Sequence, residues 1–459
     1  MQKVQTYSLR SFAIILIAIF ITYSGVPIAF DQGEIFVWPF KYLYWDQFDY
    51  QIFISIFCGL LTKFFSCSGA VTIFRIINLV MMVYAVRALG KITSILFEND
   101  KITIIYYIIV PFCVPFTFFV SWAYGNIPSI CIMIFAILQL LLFFQEHKWS
   151  QVIKILIFAL FGFLFKLSAE IIIIAMIIII FLKVFETLQK TLYKKYITLI
   201  MGLFFIIICV PYIMIFIGNN LQSEYKITKF PSKINFVQGL NAFDEKDKID
   251  YKNLQIENPK IYTVDAEDLI GKWSSLISGE TMTLKYDDES ARIRTDERLK
   301  YRIHEFITNP NIAVRYFFRK QVVDWNSPDF SAITNWGLAN YIRSDYYQES
   351  EYTLKIIGLF AKDQIGYNIV YNFADGYQTL IYLSILICSV CVFRNIKIKT
   401  SKLRLEYYII PLSFLGQFYL SFVAESGGRF NFHVFILILP YAAFGILKLQ
   451  NYITHKTTN

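Results

Sequence analysis

Apolar residues run along this chain in long unbroken blocks separated by short polar connections. A helix needs roughly 20 such residues to cross the hydrocarbon of a bilayer. Read on that length, the blocks predict spans at 10–30, 71–97, 102–121, 127–145, 151–167, 169–187, 196–218, 374–393, 405–424 and 432–449. Only Lys166, Ser168 and Glu170 separate the fifth from the sixth. Continuous runs point to helices, because barrel strands alternate apolar and polar positions. The first block follows Lys3 and Arg10, is too long for a signal-peptide core and lacks a small-x-small cleavage site, so it reads as a retained span.

Two segments break the pattern. Within 31–70, residues 50–65 (YQIFISIFCGLLTKFF) are apolar but short for a span, which suggests an interfacial or re-entrant helix; residues 35–47 are a candidate second one. Segment 219–373 has the composition of a soluble domain, punctuated by Pro231, Gly239, Pro259, Gly271, Gly279, Pro310 and Pro328. Within it, 287–308 reads as a helix ended by Asn309-Pro310, and 311–325 as a second, amphipathic helix. The expectation is an all-α polytopic membrane protein of about ten transmembrane helices with a mixed or mainly helical extracytoplasmic insertion. Its parts are an N-terminal membrane domain at 1–218, a loop domain at 219–373 and a C-terminal membrane domain at 374–459.

Composition agrees: 56% of the residues are hydrophobic and 17% charged. The net charge of +9 fits the positive-inside rule better than a nucleic-acid role. With the N-terminus inside, the connections on that side hold eighteen Lys and Arg, from Lys3 and Arg10 to Lys448 and Lys456. The short outside connections hold five: Lys41, Lys63, Arg75, Lys166 and Arg429. This predicts a cytoplasmic-membrane protein with both termini in the cytoplasm and 31–70 and 219–373 outside. None of the seven cysteines falls in 219–373, so disulfides do not hold that segment together.

Ionisable and polar residues gather at the outer ends of the spans, where each carries a desolvation cost. Asp31 follows the first span, with Glu34 a turn later, then Asp46 and Asp49. Arg75 and Asn78 open the second span; Tyr124, Gly125 and Asn126 form a tight turn; Lys166 and Glu170 flank another; Glu425 and Arg429 precede the last. Singly, each has an ordinary reading as a stop signal, a snorkelling cation or a structural tie. Together they suit a phosphate-bearing lipid headgroup. Sugar transfer to a hydroxyl needs a base for the acceptor's proton and cations for the leaving phosphate. Asp31 suits the first role; Lys166 and Arg429 suit the second.

The order of motifs resembles the GT-C class of membrane glycosyltransferases, in particular bacterial relatives of protein O-mannosyltransferases and of the aminoarabinose transferase. AFDQGEIF places Asp31 where that class has its catalytic Asp, just after the first span. FDYQIFISIFCGLLTKFF resembles a tyrosine-proline-x-glutamine region of Gram-positive members, without the proline and with Asp49 in its neighbourhood. FRIINLV, SWAYGNIPS, FKLSAEIIIIA, VQGLNAF, FFRKQVVDWNSPDF and AESGGRFNFHVFILILPY resemble later landmarks in order; in the fifth of these stand Lys320 and Trp325. The resemblance implies inverting transfer from a polyprenyl-phosphate-linked sugar to an outer-face acceptor: a wall or capsular polysaccharide, teichoic acid, lipid or protein. It implies Asp31 as general base, and Glu34, Asp46, Asp49, Arg75, Tyr124, Asn126, Lys166, Lys320, Trp325, Glu425 and Arg429 as substrate contacts. Some relatives use a divalent metal; no His or carboxylate cluster here commits the chain to one.

Two other readings stay open. A polysaccharide polymerase or ligase acting on lipid-linked glycans also needs outer-face cations. A non-enzymatic transporter calls for inverted repeats and broken spans; the sequence shows neither, although Pro111, Pro115 and Pro211 can bend their helices.

Overall fold

The computed structural model describes residues 2–22, 52–186, 190–221, 240, 289–330, 332, 364–397, 404–423 and 428–457. Among them there is no strand. The helices are α1 (Gln2–Thr22), α2 (Ile52–Phe64), α3 (Cys67–Phe97), α4 (Asp100–Ile109), α5 (Val114–Phe118), α6 (Asn126–Glu146), α7 (Trp149–Phe165), α8 (Ala169–Glu186) and α9 (Lys190–Leu221). They continue with α10 (Glu289–Thr308), α11 (Pro310–Trp325), α12 (Ile365–Lys397), α13 (Ile409–Val423), α14 (Gly428–Leu437) and α15 (Leu439–Thr457).

Within α1, α3, α6, α9 and α12 lie stretches long and apolar enough to cross a membrane. Two bent pairs pass the same test together: Asp100–Phe112 with Val114–Ser121, and Asn431–Leu437 with Leu439–Thr454. That gives five to seven candidate spans among the described residues. The three other predicted spans coincide with α7, α8 and α13, which are helical, but α7 and α13 are short and α8 carries Glu170, Lys183 and Glu186.

The expectation of unbroken spans is corrected. The 102–121 block bends by 52° at Cys113, between Pro111 and Pro115, and the last span by 48° at Ile438, next to Pro440. Proline offers no N–H to the carbonyl four residues back, and its ring crowds that carbonyl. Pro211, by contrast, sits inside α9 without splitting it.

The helix ends follow local chemistry. Ser66 accepts from Gly69 N at 3.2 Å to cap α3, and Asn99 accepts from Lys101 N at 2.9 Å to cap α4. As the sequence predicts, α10 stops before Asn309, whose N–H bonds Glu305 O at 2.9 Å, and Pro310 opens α11.

Close backbone approach holds the bundle together. A Cβ on Gly125 would lie 2.0 Å from Phe165 O, so α6 begins against the end of α7; a Cβ on Gly445 would lie 1.9 Å from Ser384 O, joining α15 to α12. Ser129 Oγ donates to Gly162 O at 2.8 Å along the α6–α7 seam. The predicted short helix at 50–65 is α2; it packs through Phe53 on Phe165 (5.1 Å between ring centroids) and Phe57 on Phe74 (6.0 Å). The candidate helix at 35–47 lies outside the described residues.

Connections that share a side by span alternation touch one another. At one end Arg404 pairs with Glu98 at 2.8 Å, Lys183 with Glu406 at 3.2 Å, and Lys195 donates to His147 O. At the other end lie the turns at 121–126 and 166–168, the start of α3 and the end of α13.

Candidate functional site

Arg75 and Asn78 lie three residues apart on α3, hence on one face. Both are buried, at 5% and 0% exposure. They reach the turn that follows the 3₁₀ segment Phe119–Ser121, where the chain leaves helical geometry and its carbonyls lose helical partners. Arg75 Nε donates to Ser121 O at 2.6 Å, and Asn78 Nδ2 to Trp122 O at 2.6 Å. A guanidinium is thus held in buried surroundings with the backbone oxygen of Ser121 among its partners.

Lys166 caps the end of α7 in an extended conformation. Its Nζ stands 4.6 Å from the ring centroid of Tyr124, a cation–π contact. Asn126 opens α6 at 2% exposure, and its Oδ1 accepts no hydrogen bond among the described residues. From α14, His433 comes within electrostatic reach of Lys166. It is 4% exposed, and neither ring nitrogen has a hydrogen-bond partner among the described residues. Phe432 stacks on Phe119 at 4.3 Å and Phe119 meets Trp122 edge-on at 4.2 Å, closing the apolar side of the same region.

A second polar group surrounds α11. Lys320, Asp324, Ser327 and Asp329 are fully buried. Lys320 Nζ donates to Phe422 O at 3.0 Å. Gln321 Oε1 accepts from Trp325 Nε1 at 3.0 Å and from Ser421 Oγ at 3.1 Å. Gln417 Nε2 donates to Asn431 Oδ1 at 2.9 Å, and Asn431 Nδ2 to Asp324 O at 3.3 Å. Asn431 and His433, two residues apart, point to nearly opposite sides of α14, so this buried helix stands between the two polar groups.

Of the residues singled out from sequence, Arg75, Tyr124, Asn126 and Lys166 come together at one end of the bundle. Lys320 and Trp325 sit on α11 against α13, with the Trp325 ring 4.9 Å from Phe414. Asp31, Glu34, Asp46, Asp49 and Glu425 lie outside the described residues, and of Arg429 only its place in the first turn of α14 is described. Among the described residues no group of three or more His, Cys, Asp or Glu is placed to hold a metal ion. Asn431, His433, Gln417, Gln378 and Asp324 were not predicted. The signal for four of them was present: a polar residue inside an apolar run, as in SFLGQFYLSF and FNFHVFILIL.

Among the described residues, fold and site define a helical protein with several helices long and apolar enough to cross a membrane and buried polar side chains between them. Comparison with known proteins adds no relative: the chain matches no family model and no curated protein.

Proposed function

We propose that the chain is a GT-C-type glycosyltransferase of the cytoplasmic membrane. It moves a sugar from a polyprenyl-phosphate-linked donor to an acceptor glycan, lipid or protein on the outer face, with both termini and the basic connections in the cytoplasm. In the reaction the acceptor hydroxyl attacks the anomeric carbon, the carbon–oxygen bond to phosphate breaks, polyprenyl phosphate leaves, and the acceptor's proton passes to the Asp31 carboxylate. Lys166 and Arg75 offset the phosphate charge. A divalent metal bound by residues outside those described would share that task.

The observation that carries this reading is the meeting of Arg75, Tyr124, Asn126 and Lys166, drawn from three separate connections, at the end of the bundle where a donor's headgroup would sit. The motif order supports it. Purified protein given synthetic polyprenyl-phosphate sugars tests it: the wild type transfers sugar and Asp31→Asn does not.

A second reading, a lipid or glycan transporter, is favoured by the two bent spans, since transporters place their sites at interrupted helices. Movement of a lipid-linked glycan across proteoliposomes without covalent transfer would select it. A polymerase or ligase on lipid-linked glycans would instead depend on outer-face Arg residues with Asp31 dispensable.

A further inference from the structure

We propose that Pro310–Phe330 enters the bilayer as a re-entrant segment, with Val314, Phe318 and Val322 facing lipid acyl chains. The inference rests on the chain being a membrane protein and not on the transfer reading.

Part of the exposed surface of α11 is apolar while two of its charged side chains are buried, with the exposed Arg315 beside that surface and Tyr316 and Trp325 on the buried side. On a surface helix of a soluble domain the apolar stripe faces the core and charges face water. Here Lys320 and Asp324 are fully buried, whereas Val314 is 67%, Phe318 71% and Val322 43% exposed. The three exposed residues recur every four positions and form one stripe, roughly opposite Lys320 and Asp324 on the helix.

Depth follows from the contacts of α11. It runs antiparallel to α13: Phe317 meets Phe422 at 5.6 Å, and Trp325 meets Phe418 at 6.1 Å and Phe414 at 4.9 Å. The chain then reaches α12 and α14, where Phe330 packs on Phe435 at 5.0 Å. On α12 the exposed Asp375 marks a wet level. Tyr382, which touches Trp325 O, lies seven residues further on, about 10 Å deeper at 1.5 Å per residue.

The backbone past α11 has what a dry environment requires. Carbonyls freed at a helix end cannot be left unpaired in hydrocarbon. Asp324 O accepts from Asn431 Nδ2, Trp325 O from Tyr382 Oη at 2.7 Å, and Ser327 O from Gln378 Nε2 at 2.9 Å. Asp324 and Ser327 are fully buried, so these side-chain donors meet a demand that any dry surroundings, protein or lipid, impose.

Lipid is the occupant because the stripe continues the exposed apolar surface of α13, where Leu415, Tyr419 and Val423 are 46%, 68% and 38% exposed. The unmodified full-length protein in phosphatidylcholine–phosphatidylglycerol vesicles tests this. Acyl chains bearing a diazirine should form adducts on the 314–322 peptide. Hydroxyl radicals generated in the water should oxidise Phe318 no faster than Tyr419, and much more slowly than Tyr301 of the charged α10. Oxidation of Phe318 at the rate of Tyr301, with no lipid adducts, overturns the proposal. So does protection of Phe318 accompanied by cross-links to a second copy of the chain and no lipid adducts.

Discussion

The hydroxyl of Tyr382 on α12 donates to the backbone carbonyl of Trp325 at 2.7 Å, 57 residues earlier in the chain. This bond ties the last turn of α11 to the middle of α12, a helix long and apolar enough to cross a membrane. A neighbouring bond, Gln378 Nε2 to Ser327 O at 2.9 Å, repeats the device one turn away on the same helix. Both donors are spent on carbonyls that the end of α11 leaves open.

Tyr382→Phe removes one donor and leaves a buried carbonyl unsatisfied, at a cost of about 1–3 kcal/mol. Combined with Gln378→Leu, the two losses should depart from additivity, because both bonds hold the same segment. Thermal or denaturant unfolding of the four proteins of the double-mutant cycle in detergent checks this. Strict additivity would show that the two bonds act on independent parts of the chain.

Two glycines should respond with opposite signs. Gly125→Ala puts a methyl group 2.0 Å from Phe165 O, a backbone atom, so α6 and α7 must separate and the protein should lose stability and yield. Gly376→Ala in α12 meets nothing within 4 Å and should stabilise the helix by about 0.5–1 kcal/mol. Melting temperatures in one detergent decide the comparison.

Arg75→Ala strips the donor from Ser121 O and removes a buried charge from the candidate site. Stability should fall by about 1–3 kcal/mol. Donor affinity should fall as well, and Arg75→Lys should not restore it, since an ammonium group lacks the guanidinium's fork of donors. Binding of a polyprenyl-phosphate sugar to both variants, measured beside their melting temperatures, separates the two effects.

Lys166→Met removes the ammonium group above the Tyr124 ring while keeping its apolar stem. The KM for the donor should rise about tenfold or more, the scale of one charge-assisted contact of about 1.5–3 kcal/mol, while the fold is preserved. Equal donor saturation curves for the variant and wild type would remove Lys166 from the site.

Much of the helical plan was legible in sequence, because the bilayer imposes one length and one composition on a span. The turn at Lys166 shows in the apolar spacing and the stop at Asn309-Pro310 in the turn chemistry, whereas α3 begins at Cys67, about a turn before the span expected from 71. Pro111, Pro115 and Pro211 were visible as residues able to bend their helices, but not which of them does: Pro111 and Pro115 flank a bend, Pro211 does not, and the bend at Ile438 was not foreseen, because proline's effect depends on whether neighbouring helices stabilise a break. The placement of α11 was hidden for a further reason. Lys320, Asp324 and Asp329 give its neighbourhood a soluble composition, and the groups that solvate them locally, such as Phe422 O, lie about a hundred positions away. At the candidate site, Arg75, Asn126 and Lys166 were visible as polar residues at span ends. His433 was passed over as part of an apolar span.

The most direct measurement is a transfer assay on purified wild type and Asp31→Asn, with a panel of synthetic polyprenyl-phosphate sugars and outer-envelope acceptors, scored for product and for donor binding. The account predicts product from the wild type, and donor binding without product from Asp31→Asn. Product formed equally by both proteins would contradict Asp31 as the base, and the absence of wild-type product across the panel would contradict the transferase reading itself.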